Sequence, residues 1–232
     1  MALVGTTSET VFAGAGELPV PAYSSSCINT GIFRRNALIT IGSIQVISYF
    51  ASDGRIAILC RSVKTGQFNE ALFLDSKMSG RMIGDGHQAV NIGYSADGYV
   101  HVIWGCHDTK DPKYTKLRWP DLNIVSEGLV SRDIDVSRLS YPQFYGTPMD
   151  LKLLFRRDSA EGADNPYDQC IWRYDEEGGA WSSLQNPLIT FPPAPQLAYM
   201  NGMGESGDTI AIAYTIRRYD IMDVSDVHMR VK

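Results

Sequence analysis

The chain lacks several features that would have settled its class at once. No apolar run approaches the roughly 18 to 20 residues that a bilayer-spanning helix needs, so no membrane span is expected. Its 21 basic residues are scattered rather than gathered into a run, and 26 acidic residues leave a formal charge of −5. That balance argues against binding to nucleic acid or to an anionic membrane surface. Cys27, Cys60, Cys106 and Cys170 are widely spaced with no CxxC pair, which excludes a zinc ribbon and a thioredoxin-type dithiol and leaves free thiols as the expectation. The opening MALVGTTSETVFAGAGELPVP has no basic stretch ahead of its apolar residues and makes a poor secretory signal. The compartment therefore stays unassigned, with secretion or surface display expected only if the substrate is a polysaccharide. Helices of ordinary length are missing too, because Gly, Pro, Asn or Asp interrupts every candidate.

What is present is a composition of 44% hydrophobic and 20% charged residues over 232 positions, enough for one sizeable core. One pattern recurs: a short apolar strand, a turn rich in Asp and Gly, a second apolar strand, then a polar loop. Ile44 to Ser62 reads IQVISYFASDGRIAILCRS, and Ala89 to His107 reads AVNIGYSADGYVHVIWGCH, both with Asp-Gly between alternating strands. Tyr141 to Asp158 repeats the pattern with its turn around Thr147 to Asp150, and Leu197 to Arg218 repeats it again. Segments such as Lys113 to Leu117 and Gln169 to Tyr174 fit outer strands.

Units of roughly 40 to 50 residues with several strands each are what propeller blades use. The expected fold is all-β, a β-propeller of four-stranded antiparallel blades, with about four to five blades in residues 36–232 as one domain and residues 1–35 as an N-terminal segment or first outer strand. Residues 226–232 read as an outer strand just begun. The expectation is a piece of a longer propeller or a protomer that self-assembles through its open blade edges.

Chemistry concentrates in DGHQAVNIGYSADGYVHVIWGCHD, Asp85 to Asp108, which holds three of the four histidines. Histidine titrates nearest neutrality, so such crowding is where proton transfer or metal binding is sought first. Further on, Tyr141 opens YPQF, and Arg156 and Arg157 end LLFRRD. A tyrosine, an arginine pair and histidines on an all-β frame point to a site for an acidic sugar.

In order and spacing these pieces resemble the BNR-type (BNR-4) repeat propellers, which include ulvan lyases and similar polysaccharide lyases of seven-bladed form. The shared signature is D-x-H before a strand, D-G-x-x-H-x-x-W/Y-G-x-H across the next hairpin, Y-P-x-F, L-x-F-x-R-D and a later Y-D-x-x-x-G-x-W. Here it stands as Asp85 to His87, Asp97-Gly98 with His101 and Trp104 to His107, Tyr141 to Phe144, Leu153 to Asp158, and Tyr174-Asp175 with Trp181. The resemblance implies β-elimination on a uronate-containing polysaccharide, the acidic glycan being the partner. Arg157 would neutralise the sugar carboxylate by the bidentate pairing guanidinium favours, with Arg156 on the opposite strand face. Tyr141 would act as base and acid, and His87 and His107 would polarise the carboxylate or exchange protons with the leaving oxygen. Asp85, Asp108, Trp104 and Arg156 are read as substrate contacts.

Other readings stay open beside this one. His101, mid-strand between Val100 and Val102, fits a hydrogen-bonded structural residue, and Trp104, Trp172 and Trp181 fit blade packing as well as sugar stacking. A zinc site from His87, His101 and His107 lacks a recognisable ligand spacing. No cofactor is expected, and a structural metal ion is left open. A non-catalytic glycan- or protein-binding propeller is the main alternative. A glycoside hydrolase is a third reading, and it would need facing carboxylates drawn from Asp85, Asp108 and Asp158. SADGYVHV is not a sialidase Asp box, which removes the best marker for that class.

Overall fold

The computed structural model describes residues 18–31, 36–74, 77–107, 112–128, 139–158, 167–189, 196–218 and 224–231. The chain divides into two compact units, Met1–Ile92 and Gly93–Lys232.

In the first unit, β1 (Leu38–Ile41), β2 (Ile44–Phe50), β3 (Ile56–Ser62) and β4 (Leu72–Leu74) form one antiparallel sheet in chain order. The Asp53-Gly54 turn joins β2 to β3 as the sequence predicts. Gly54 takes φ +86, a conformation open to glycine at little cost, and its N–H closes the turn onto the Ala51 carbonyl at 2.8 Å. Tyr49, Ala51, Ala57 and Leu59 make a buried cluster against Leu18, Val20 and Phe73. Asn29 ties the segment before β1 to the end of β2, donating to the Phe50 carbonyl at 2.8 Å and accepting from the Phe50 N–H at 2.9 Å. The short helix α1 (Gly80–Gly84) is the one α-helix among the described residues.

Three meanders follow, the first starting two residues before the second unit and the rest lying within it. The first comprises β5 (Asn91–Ser95), β6 (Tyr99–Trp104), β7 (Lys113–Arg118) and β8 (Asn123–Glu127). The next comprises β9 (Ser140–Tyr145), β10 (Lys152–Asp158), β11 (Tyr167–Asp175) and β12 (Ala180–Ile189). The last has β13 (Gln196–Ser206), β14 (Thr209–Arg218) and β15 (Val224–Val231). Every connection within a sheet is an antiparallel neighbour step, the blade plan of a propeller. Strands β6 and β10 are buried along nearly their whole length, because a sheet covered on both faces buries both sets of alternating side chains. Leu153, Phe155 and Trp172 pack on one face with Ile103 and Tyr114 of the preceding sheet. Leu154 and Ile171 pack on the other with Ala198 and Ile212 of the following one.

His101 anchors a buried hydrogen-bonded chain between these blades. Trp181 Nε1–H donates to the Tyr114 hydroxyl at 3.2 Å, and that hydroxyl bonds His101 Nδ1. His101 Nε2 lies 2.7 Å from Ser95 Oγ, which bonds the Asp97 carboxylate. Indole can only donate and carboxylate only accept, so the chain has one consistent direction: His101 is neutral, with its proton on Nε2. Burial, and then the nearby Lys116 charge, push its pKa down to about 3. Asp97 also accepts from Tyr174 at 3.0 Å, so the D-G-x-x-H element ties the second blade to the third.

Candidate functional site

Strand β9 carries an irregularity that aims its first residues. Leu154 of β10 faces Gln143, but Arg156 faces Ser140, so β9 has one extra residue between these pairs. Tyr141 sits at this bulge with φ +54, a left-handed conformation that a tyrosine holds only at a cost of order 1 to 3 kcal/mol. Its ring lies under the guanidinium of Arg156, 4.6 Å from carbon to ring centre. Tyr167, the first residue of β11, stacks on the same guanidinium at 4.3 Å, and Tyr199 of β13 lies at 5.6 Å. The His107 ring is 5.6 Å from that of Tyr141, and the Tyr199 ring 6.0 Å.

Arg156 is thus a cation held among three aromatic rings. It is 7% exposed, and its Nε, like that of Arg157, is buried without a hydrogen-bond partner among the described residues. A buried charge is costly to keep, and an anion meeting the guanidinium offsets part of that cost. The arrangement can therefore receive an anion beside a phenol and an imidazole, the parts needed for proton transfer next to a carboxylate.

The two arginines at the end of β10 have different surroundings. They do point to opposite faces of β10, but Arg156 is the one that meets Tyr141, whereas Arg157 Nη2 pairs with Asp168 at 3.3 Å. Strand alternation decides this, since Arg157 shares its face with Phe155 and Cys170 while Arg156 shares its face with Leu154 and Ser140. On the Arg157 face, burial raises the Cys170 thiol to about 12. Trp104, read as a substrate contact, is 3% exposed and packed in the core, so no sugar reaches its ring. Asp108 lies outside the described residues. Tyr167 and Tyr199 escaped the sequence reading because each begins or enters a strand far along the chain, and only pairing of the sheets brings them to Arg156.

Asp85 and His87 belong to the first unit and form a pair of their own. The Asp85 carboxylate accepts from the His87 backbone N–H at 3.0 Å and meets ring Nδ1 at 2.6 Å. A carboxylate can only accept, so Nδ1 carries a proton in this contact. His101 is unavailable to a metal, with both ring nitrogens engaged inside the second unit by Ser95 and Tyr114.

Two solved structures share this fold at low identity. Polysaccharide lyase Uly1 superposes with a TM-score of 0.66 at 14% identity, covering 86% of this chain and 51% of that one. The PL25 ulvan lyase bound to -[GlcA(1-4)Rha3S]- gives 0.63 at 16% identity, covering 87% and 49%. The chain therefore spans about half the length of these lyases. No curated protein matches it in sequence. The profile described as BNR repeat-containing family member (BNR_4) matches residues 44–228, which takes in blades from both units and every described candidate residue. Four meander sheets in chain order and this match over most of the sequence agree, and the chain belongs to the BNR repeat-containing family.

Proposed function

We propose that this chain is a carbohydrate-active propeller whose second unit carries a site for β-elimination on a uronate-containing polysaccharide. The observation that carries the reading is the Arg156 guanidinium stacked on Tyr141, with His107 against the same tyrosine. Polysaccharide lyases among the structures of like fold support it.

Elimination needs no water. A base removes the C5 proton, negative charge gathers on the adjacent carboxylate, and the bond from C4 to the glycosidic oxygen breaks to leave a C4=C5 double bond. Arg156 neutralises the carboxylate as that charge grows, a service worth most in a site closed to solvent. Tyr141 takes the C5 proton as phenolate, a form favoured by the adjacent cation, and returns a proton to the leaving oxygen. His107 exchanges protons with Tyr141. Arg157 is not needed for this scheme, since Asp168 engages it. For His87 the proposal rests on its own loop: Asp85 holds the proton on Nδ1, the arrangement that readies a histidine for exchange through its other nitrogen.

The test is ultraviolet absorbance of the chain incubated with a panel of uronate polysaccharides, since elimination makes a conjugated double bond and hydrolysis does not. A rise that is absent in Tyr141→Phe supports the reading. A flat trace from folded protein overturns it. The Arg156 cation among tyrosine rings would hold an anionic sugar without turnover as well, which gives a second reading as a glycan-binding module. Retarded migration in gels containing the same polysaccharides, without any absorbance rise, would establish that module.

A further inference from the structure

We infer that Tyr167 is a positioning residue that holds the Arg156 guanidinium through its ring face, an inference that rests on the lyase reading for its consequence in catalysis. Of the three rings around this cation, Tyr167 is the nearest, at 4.3 Å from guanidinium carbon to ring centre. It stands on β11, whereas Tyr141 stands on β9, so the two tyrosines reach Arg156 from the two neighbours of its own strand.

The register explains why. Tyr167 pairs with Asp158, the last residue of β10, and Arg156 faces Gln169, so Tyr167 and Arg156 are diagonal neighbours across the ladder. Diagonal positions are within reach of aromatic and long side chains. An arginine otherwise carries about 2 kcal/mol of side-chain conformational freedom. Ring faces fix its plane without using its N–H groups, which leaves the donor edge for a ligand. An acidic partner would also fix the plane, but it would occupy that edge and cancel the charge. Tyrosines suit a cation that has to stay both rigid and unneutralised. Arg157, held by Asp168, shows the opposite choice one residue later.

The experiment observes Arg156 directly, without turnover. In protein labelled with nitrogen-15 arginine, the Nε–H resonance absent from Arg156→Lys belongs to Arg156, and the rings should move it away from the other arginine side chains. Tyr167→Phe keeps the ring and should keep that shift. Tyr167→Leu removes the ring and should return the resonance to the crowd, while weakening sodium glucuronate binding by about 2- to 30-fold, the range a cation–π contact supports. Tyr167→Met gives the same comparison if the leucine variant does not fold. An Nε–H signal unmoved in the non-aromatic variants overturns the inference. So does a shift lost equally in Tyr167→Phe, which would place the role in the hydroxyl. If wild-type protein neither binds glucuronate nor cleaves any uronate polymer, the lyase reading falls, and the Nε–H comparison still decides what holds Arg156.

Discussion

Arg156 and Tyr141 meet face to face, 4.6 Å from guanidinium carbon to ring centre, and the bulge in β9 brings this about. Arg157, the next residue, turns to Asp168 on the other side of the sheet. This contrast makes the two arginines separable by experiment.

On the lyase proposal, Arg156→Lys and Tyr141→Phe should each lower elimination by about 100-fold or more, the usual cost of losing a charge-stabilising donor or a general base. Arg157→Lys should leave the rate within a few-fold. Initial rates on one uronate polymer, with near-ultraviolet circular dichroism as the folding control, make the comparison. Equal losses at both arginines would sink the assignment of the cation to Arg156.

Acid should destabilise the fold through His101. Its folded pKa, about 3, lies below the unfolded value near 6.5, so between these values the unfolded chain binds the extra proton. The contribution to stability is whole above about pH 6.5 and is lost as pH falls toward 3, at roughly 1.4 kcal/mol per unit. Urea midpoints measured from pH 7 to pH 4 should fall steeply in the wild type. In His101→Gln they should start lower and fall less, because glutamine does not titrate there.

Gly93 on β5 is held to hydrogen by Phe144. A methyl group at this position would sit 2.8 Å from Phe144 Cγ, and that ring is packed in the core. Gly93→Ala should cost about 1 to 3 kcal/mol by overpacking. Gly84, at the end of α1, has open space around its absent side chain, and Gly84→Ala should stay within about 1 kcal/mol of wild type. Denaturant unfolding of the two variants side by side checks the pair.

Lys152 is the buried centre of a charge cluster, 2.6 Å from Asp150 Oδ2 and paired also with Glu205, while Arg173 holds the other Asp150 oxygen at 2.6 Å. Lys152→Met should destabilise toward the lower end of the roughly 3 to 5 kcal/mol seen when one partner of a buried pair is removed, because the two acids keep some access to water. Replacing Glu205 by Gln in that background should recover part of the loss. A melting temperature unchanged in Lys152→Met would show that the cluster adds nothing.

Much of this was legible along the chain. The Asp53-Gly54 and Asp97-Gly98 turns, the alternation of the strands around them and the return of the pattern after Tyr141 and Leu197 are local properties, set by backbone sterics and by which faces must leave water. They predict the sheets, their order and the propeller class. His101 was readable as structural for the same reason, since a residue between Val100 and Val102 in a buried strand has to find its partners inside. The order of Asp85, His87, Tyr141 and the arginine pair pointed to the family.

The choice between Arg156 and Arg157 was not legible. Both are arginines at the end of one strand, and alternation says only that they face opposite ways. Which face holds the site depends on the extra residue in β9, on Tyr167 across the ladder and on Tyr199 from the next sheet. Trp104 likewise reads as platform or as core along the chain, and only its burial in the fold decides. Hydrophobic period and turn chemistry act between near neighbours, and they set the strands, their turns and the blade order. Which cation is caged by rings and which is paired with an acid emerges only in the folded chain, because that depends on contacts between strands and sheets whose pairing appears only when the blades stack.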